Sequence, residues 1–101
     1  MSTVAVTRAD DAGTRFSVTV RDDDGSVTSH VVSVSDADWD RFGRGYQTRD
    51  QLVHASFTYL LEHEPKESIM RSFELNVIAR YFPDYPATIA RHVSDRRGEP
   101  R

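Results

Sequence analysis

Four histidines, His30, His54, His63 and His92, stand among 16 carboxylates, and Glu62-His63-Glu64 is locally dense. Metal ligation is therefore the first chemistry to weigh. The spacing opposes it. His54 and His63 are nine residues apart, about 900° of rotation at the helical period, which turns them to opposite sides of one helix. Neither His-Glu-x-x-His nor an i, i+4 histidine pair occurs, so no metal and no other cofactor is implied. Asp22-Asp23-Asp24 begins like a Ca²⁺ loop, but the later spaced acid that would complete one is missing.

Nucleophilic catalysis fares no better. Serine and threonine are plentiful, yet there is no Gly-x-Ser-x-Gly elbow and no glycine-rich loop to build an oxyanion hole. Gly13, Gly25, Gly43, Gly45 and Gly98 form neither a dinucleotide fingerprint nor a Walker pattern. The chain has no cysteine, which removes thiolate nucleophiles, thiolate metal sites and disulfide staples together. Each acid falls in a turn, at a helix start or on a polar face, so none is marked for proton transfer from a buried position. A non-enzymatic protein is expected.

Two binding chemistries remain. Trp39 and Phe42, followed by Gly43-Arg44-Gly45-Tyr46, form an aromatic and arginine-containing segment of the composition enriched at protein interfaces. Trp39, Phe42, Arg44 and Tyr46 are thus the candidate interface, although the same Trp39 is also placed to roof the core. The rival is nucleic-acid binding by an antitoxin-like regulator, with Arg80, Arg91, Arg96 and Arg97 as contacts near Tyr81, Phe82 and Tyr85. Glu67, Glu74 and Asp84 interrupt that basic patch. A helix-turn-helix aligned on Phe73 and Leu75 would put Arg80 where an apolar residue must be buried.

The elements that must position these residues follow from periodicity. At 101 residues and 38% hydrophobic, the chain suits one small domain with one core. Phe16, Val18 and Val20 alternate with Arg15, Ser17, Thr19 and Arg21, the period of a half-buried strand. Val27 to Val34 is the partner, across the turn formers of 22–26. Two turns compete. A two-residue loop Asp24-Gly25 pairs Val18 with Val31 and sends His30 away from Phe16. A three-residue loop Asp23-Asp24-Gly25 with a glycine bulge pairs Phe16 with Val32 and Val18 with His30. The second is preferred, because it gathers Phe16, Val18, Val20, Val32 and Val34 on one face. Val4 and Val6 suggest a further strand at Thr3 to Arg8.

The period then changes to helical. Ser35 caps a short helix carrying Trp39 and Phe42, ended by Gly43 and Gly45. Thr48 and Gln51 form a capping box for a helix to about Glu62, whose core side is Leu52, Val53, Ser56, Phe57, Leu60 and Leu61, with Ala55, Thr58 and Glu62 opposite. Pro65 opens a helix with Ile69, Met70 and Phe73 inward, Leu75 to Phe82 forms another, and Pro86 begins a last turn or two carrying Ile89 and Val93.

The run Leu60-Leu61-Glu62-His63-Glu64-Pro65, continued by Phe73-Glu74-Leu75-Asn76-Val77-Ile78 and Tyr81-Phe82-Pro83-Asp84-Tyr85, resembles a group of small prokaryotic proteins to which no activity is assigned. The resemblance covers the second half of the chain. It implies a small intracellular prokaryotic domain and carries over no activity, cofactor or partner.

The expectation is an α+β domain over residues 1–93: a two- or three-stranded antiparallel meander, then about four short helices packed on one face. Residues 94–101 read as a flexible charged tail. With no apolar run long enough for a membrane span, a cytoplasmic interaction or adaptor domain is expected, monomeric or homodimeric, with an unidentified protein partner.

Overall fold

The computed structural model describes residues 2–97, with side chains through residue 92. Three antiparallel strands come first: β1 (Thr3–Arg8), β2 (Arg15–Arg21) and β3 (Val27–Ser33). The β2–β3 turn takes the three-residue form. The Asp22 N–H donates to the Ser26 carbonyl, the Gly25 N–H donates to Asp22, and Gly25 has φ +88°, a conformation glycine adopts without a Cβ penalty. Phe16 therefore faces Val32 and Val18 faces His30, while Val4 and Val6 pair with Val20 and Val18. One face of the sheet is buried valine and phenylalanine; the other carries Ser17, Thr19 and Ser29 and is partly exposed.

The buried face is roofed by helices. Ser35 caps α1 (Asp36–Phe42) by accepting from the Asp38 N–H. Thr48 caps α2 (Arg49–His63) by accepting from the Gln51 N–H, and the Gln51 side chain answers by accepting from Gln47. Phe57 and Leu60 on α2 are buried against the strands, as their period requires. Ala55, expected on the outer side, is buried as well, because α4 (Tyr85–Arg97) packs against α2. α3 (Asn76–Tyr81) buries Ile78 and packs against α4.

Two expectations need correction. No α-helix follows Pro65: Lys66–Ser68 makes one 3₁₀ turn, and Ser72–Glu74 forms a fourth strand, β4, parallel to β3. The sheet is therefore mixed, in the order β1-β2-β3-β4, and larger than the expected meander. Phe73-Glu74-Leu75 has the alternation of a strand, but three residues are too few to display a period. What decides the matter is pairing with a distant segment, in which Val31 donates to the Arg71 carbonyl and Leu75 to the Ser33 carbonyl. The final helix is also longer than a turn or two, since α4 runs to Arg97 and takes in the first four residues of the expected tail. Residues 98–101 lie outside those described. No described helix is long and apolar enough to cross a membrane.

Candidate functional site

A largely apolar concavity lies where α2 ends. Glu64 leaves the helix in an extended conformation and Pro65, with φ −70° and no N–H, prevents the helix from resuming. The chain turns once through Lys66–Ser68, extends again at Ile69 and enters β4. This detour leaves a groove of about 440 Å³, lined by apolar side chains from α2, β4 and α3 and by Glu64 and Ser68. Leu60, Ile69, Phe73 and Ile78 are buried and form its floor. Met70 and Tyr81 line it too but remain 43% and 68% exposed. Glu64 is the one charged side chain that lines it and makes none of the ion pairs among the described residues.

Three tyrosines hydrogen-bond across the helical layer, and one of them, Tyr59, stands edge-on to Phe82 of the groove lining. The Tyr59 hydroxyl donates to Asp84 Oδ1 at 2.7 Å. That bond holds the Asp84 carboxyl below its usual range, while burial, reinforced by Asp84, pushes the Tyr59 phenol up. His63 lies against the Tyr59 ring and against Phe82, which lines the groove. Its Nδ1–H donates to the Tyr59 carbonyl. Ser56 gives its proton to the Leu52 carbonyl, so Tyr85 must donate to Ser56 Oγ across the 2.7 Å between them. Tyr46 donates to the Ile89 carbonyl. Tyr85 is thereby tied to α2, Tyr46 to α4 and Tyr59 to the residue just before α4.

On the far side of the 3₁₀ turn, Lys66 is buried with its ammonium 2.6 Å from Asp22 Oδ2, 2.7 Å from Ser26 Oγ and 2.7 Å from Glu67 Oε2. A serine hydroxyl beside a lysine amine has the outline of a nucleophile and its base. The charges oppose that role. Donating to Asp22 and then to Glu67 raises the Lys66 pKa, so the amine stays protonated and has no lone pair with which to accept the serine proton. The group is a fastener between the β2–β3 turn and the 3₁₀ turn.

His30 fastens the other seam. A carbonyl can only accept, so His30 Nδ1–H donates to Met70 O, and Nε2 accepts from the Thr28 hydroxyl, both at 2.8 Å. The ring also packs on Phe57 at 5.3 Å. A polar depression brings Asp36, Asp38 and Glu74 together with Thr14, Ser33 and Ser35. Asp36, however, is turned toward Arg49 at 2.7 Å. No set of three ligands able to hold a metal occurs among the described residues.

The residues singled out in the sequence are dispersed. Phe42 and Tyr46 are core residues, Trp39 packs half-buried against the core with the Arg49 guanidinium 5.9 Å from its ring, and only Arg44 is exposed. Arg80 and Arg91 are exposed; the side chains of Arg96 and Arg97 lie outside the described residues. His54 and His92 share a shallow depression that His30 and His63 do not line. Asp24 is occupied in its own turn, accepting from the Ser26 N–H and hydroxyl. The groove itself was hidden by the helix expected after Pro65. Its one sequence signal is that Met70 and Tyr81 are large apolar residues just beyond positions that the core uses. Comparison with family models, with curated proteins and with solved structures finds no match.

Proposed function

We propose that the chain is a small non-enzymatic, cytoplasmic interaction module, and that its binding surface is the groove at the end of α2 rather than the Trp39 segment. The observation that carries this reading is the meeting of a buried apolar floor with two large, exposed side chains, Met70 and Tyr81, at one concavity. Elsewhere among the described residues the only large hydrophobic side chain so exposed is Val27. Apolar surface left in water at a concave site gains free energy when a partner covers it, at about 25 cal/mol per Å². Methionine adapts to varied shapes through its unbranched thioether, and tyrosine offers a broad rigid face with a polar end. The ligand class is therefore an apolar or aromatic side chain presented by a protein.

A neutral aromatic probe tests the site. Titration of 2-naphthalenemethanol into the ¹⁵N-labelled chain is expected to shift the amides of Ser68, Ile69, Phe73, Ile78 and Phe82, and Met70→Ser with Tyr81→Ala should weaken those shifts. Shifts that are absent, or that centre on Trp39 and Arg44, would overturn the assignment of the groove.

A further inference from the structure

The groove sets one carboxylate beside an apolar floor. Its lining is apolar except for Ser68 and one carboxylate, Glu64, which is partly buried and outside the ion pairs formed among the described residues. A neutral apolar occupant covers the floor alone, whereas one that brings a positive group also gives that carboxylate a partner and binds more tightly. Residues 98–101, Gly-Glu-Pro-Arg, contain no large apolar side chain and do not suit the groove.

The chain itself offers such a pair, Tyr81 in the groove's lining and Arg80 beside it in sequence. Tyr81, at 68% the most exposed large hydrophobic residue described, directly follows Arg80, which is exposed and takes part in none of those ion pairs. Val27, the exposed hydrophobic away from the groove, has Ser26 and Thr28 as neighbours and brings no cation. A receiving groove and an inserting side chain on the same patch satisfy what a twofold interface demands, since each copy must offer both halves of the contact.

We propose that the occupant of the groove is a second copy of this chain. Tyr81 of each copy enters the other's groove, and Arg80 of each meets the other's Glu64, which gives two ion pairs related by the twofold axis. The proposal rests on the groove being a binding surface and names what it binds.

Sedimentation equilibrium of the full chain, from micromolar to millimolar concentration, tests it. Wild type is expected to pass from monomer to dimer as concentration rises. Tyr81→Ala, Arg80→Glu and Glu64→Arg are each expected to weaken the dimer by about tenfold or more, as loss of an anchor or a matched charge does. All three change exposed or half-buried side chains, and circular dichroism melting of each should match wild type. The decisive variant is the double exchange Arg80→Glu with Glu64→Arg, which restores the pair with reversed sign and should recover most of the lost association. A double variant no better than either single one overturns the pairing, as does a wild-type dimer indifferent to Tyr81→Ala. A wild-type chain that stays monomeric while 2-naphthalenemethanol still fills the groove overturns self-association and leaves the binding site standing. If the naphthalene probe also fails to enter, the groove assignment falls with it.

Discussion

Of the 13 basic residues 12 are arginine, and the single lysine sits where three acceptors converge. An ammonium offers three donors in a compact tetrahedral arrangement, whereas a guanidinium offers a planar fork that reaches farther. Lys66→Arg keeps the charge and is nevertheless expected to lower the melting temperature; an unchanged melt would show the cage to be slack. The cage also sets a pH range. Lys66 holds the Asp22 and Glu67 carboxyls below their usual values, so their stabilisation is present above about pH 4–5 and is lost as pH falls through the lowered values. The raised pKa of Lys66 contributes stability that is full below 10.5 and lost as pH rises through the folded value. Tyr59 acts in the same alkaline direction, because burial and Asp84 favour its neutral form. Melting temperature against pH should therefore show a plateau, with Asp22→Asn flattening the acid limb and Lys66→Met only part of the alkaline one. None of this was legible in the sequence, since Lys66 lies 44 residues from Asp22 and 40 from Ser26.

Elements were legible where a period ran long enough. Phe16 to Val20 and Val32 to Val34 alternate over a strand and its partner, and gathering valines on one face was enough to select the register that places His30 inside. Leu52 to Leu60 marked the core side of α2 for the same reason, whereas Ala55 was misplaced because the partner covering it, α4, read as a turn or two. β4 was not readable. Its three residues gain their structure from hydrogen bonds to β3, not from a pattern of their own. The end of α1 supplies a test at this scale. Gly43 has ordinary helical backbone angles, φ −86° and ψ −1°, so it is not there for conformational freedom. A Cβ on it would overlap the Trp39 ring at Cε3. Gly43→Ala should displace the indole and cost about 1–3 kcal/mol through overpacking, seen as a lower melting temperature with a red-shifted tryptophan emission. An unmoved spectrum and melt would mean that the ring has room to give.

For the molecule as a whole, composition indicated one small domain with a single core and the change of period an α+β fold, and the helices do gather on the buried face of a sheet. What composition could not convey was the groove, which exists only because a proline, a 3₁₀ turn and a short parallel strand carry the chain around the end of α2. The formal charge is −3, with nine acids against six arginines in residues 1–50 and seven acids against six arginines and one lysine in residues 51–101. Without a long-range positive field, the chain is expected to pass through heparin at low ionic strength. Retention that falls steeply with salt, and falls again in Arg96→Ala with Arg97→Ala, would favour nucleic acid as the partner instead. The buried ammonium has one more consequence. Acylating reagents attack an unprotonated, accessible amine, and the lone ε-amino group of this chain is neither while the β2–β3 turn stays seated on the 3₁₀ turn. The speed at which an activated ester marks that nitrogen would then clock how often the two turns part, a stopwatch for local opening carried within the chain.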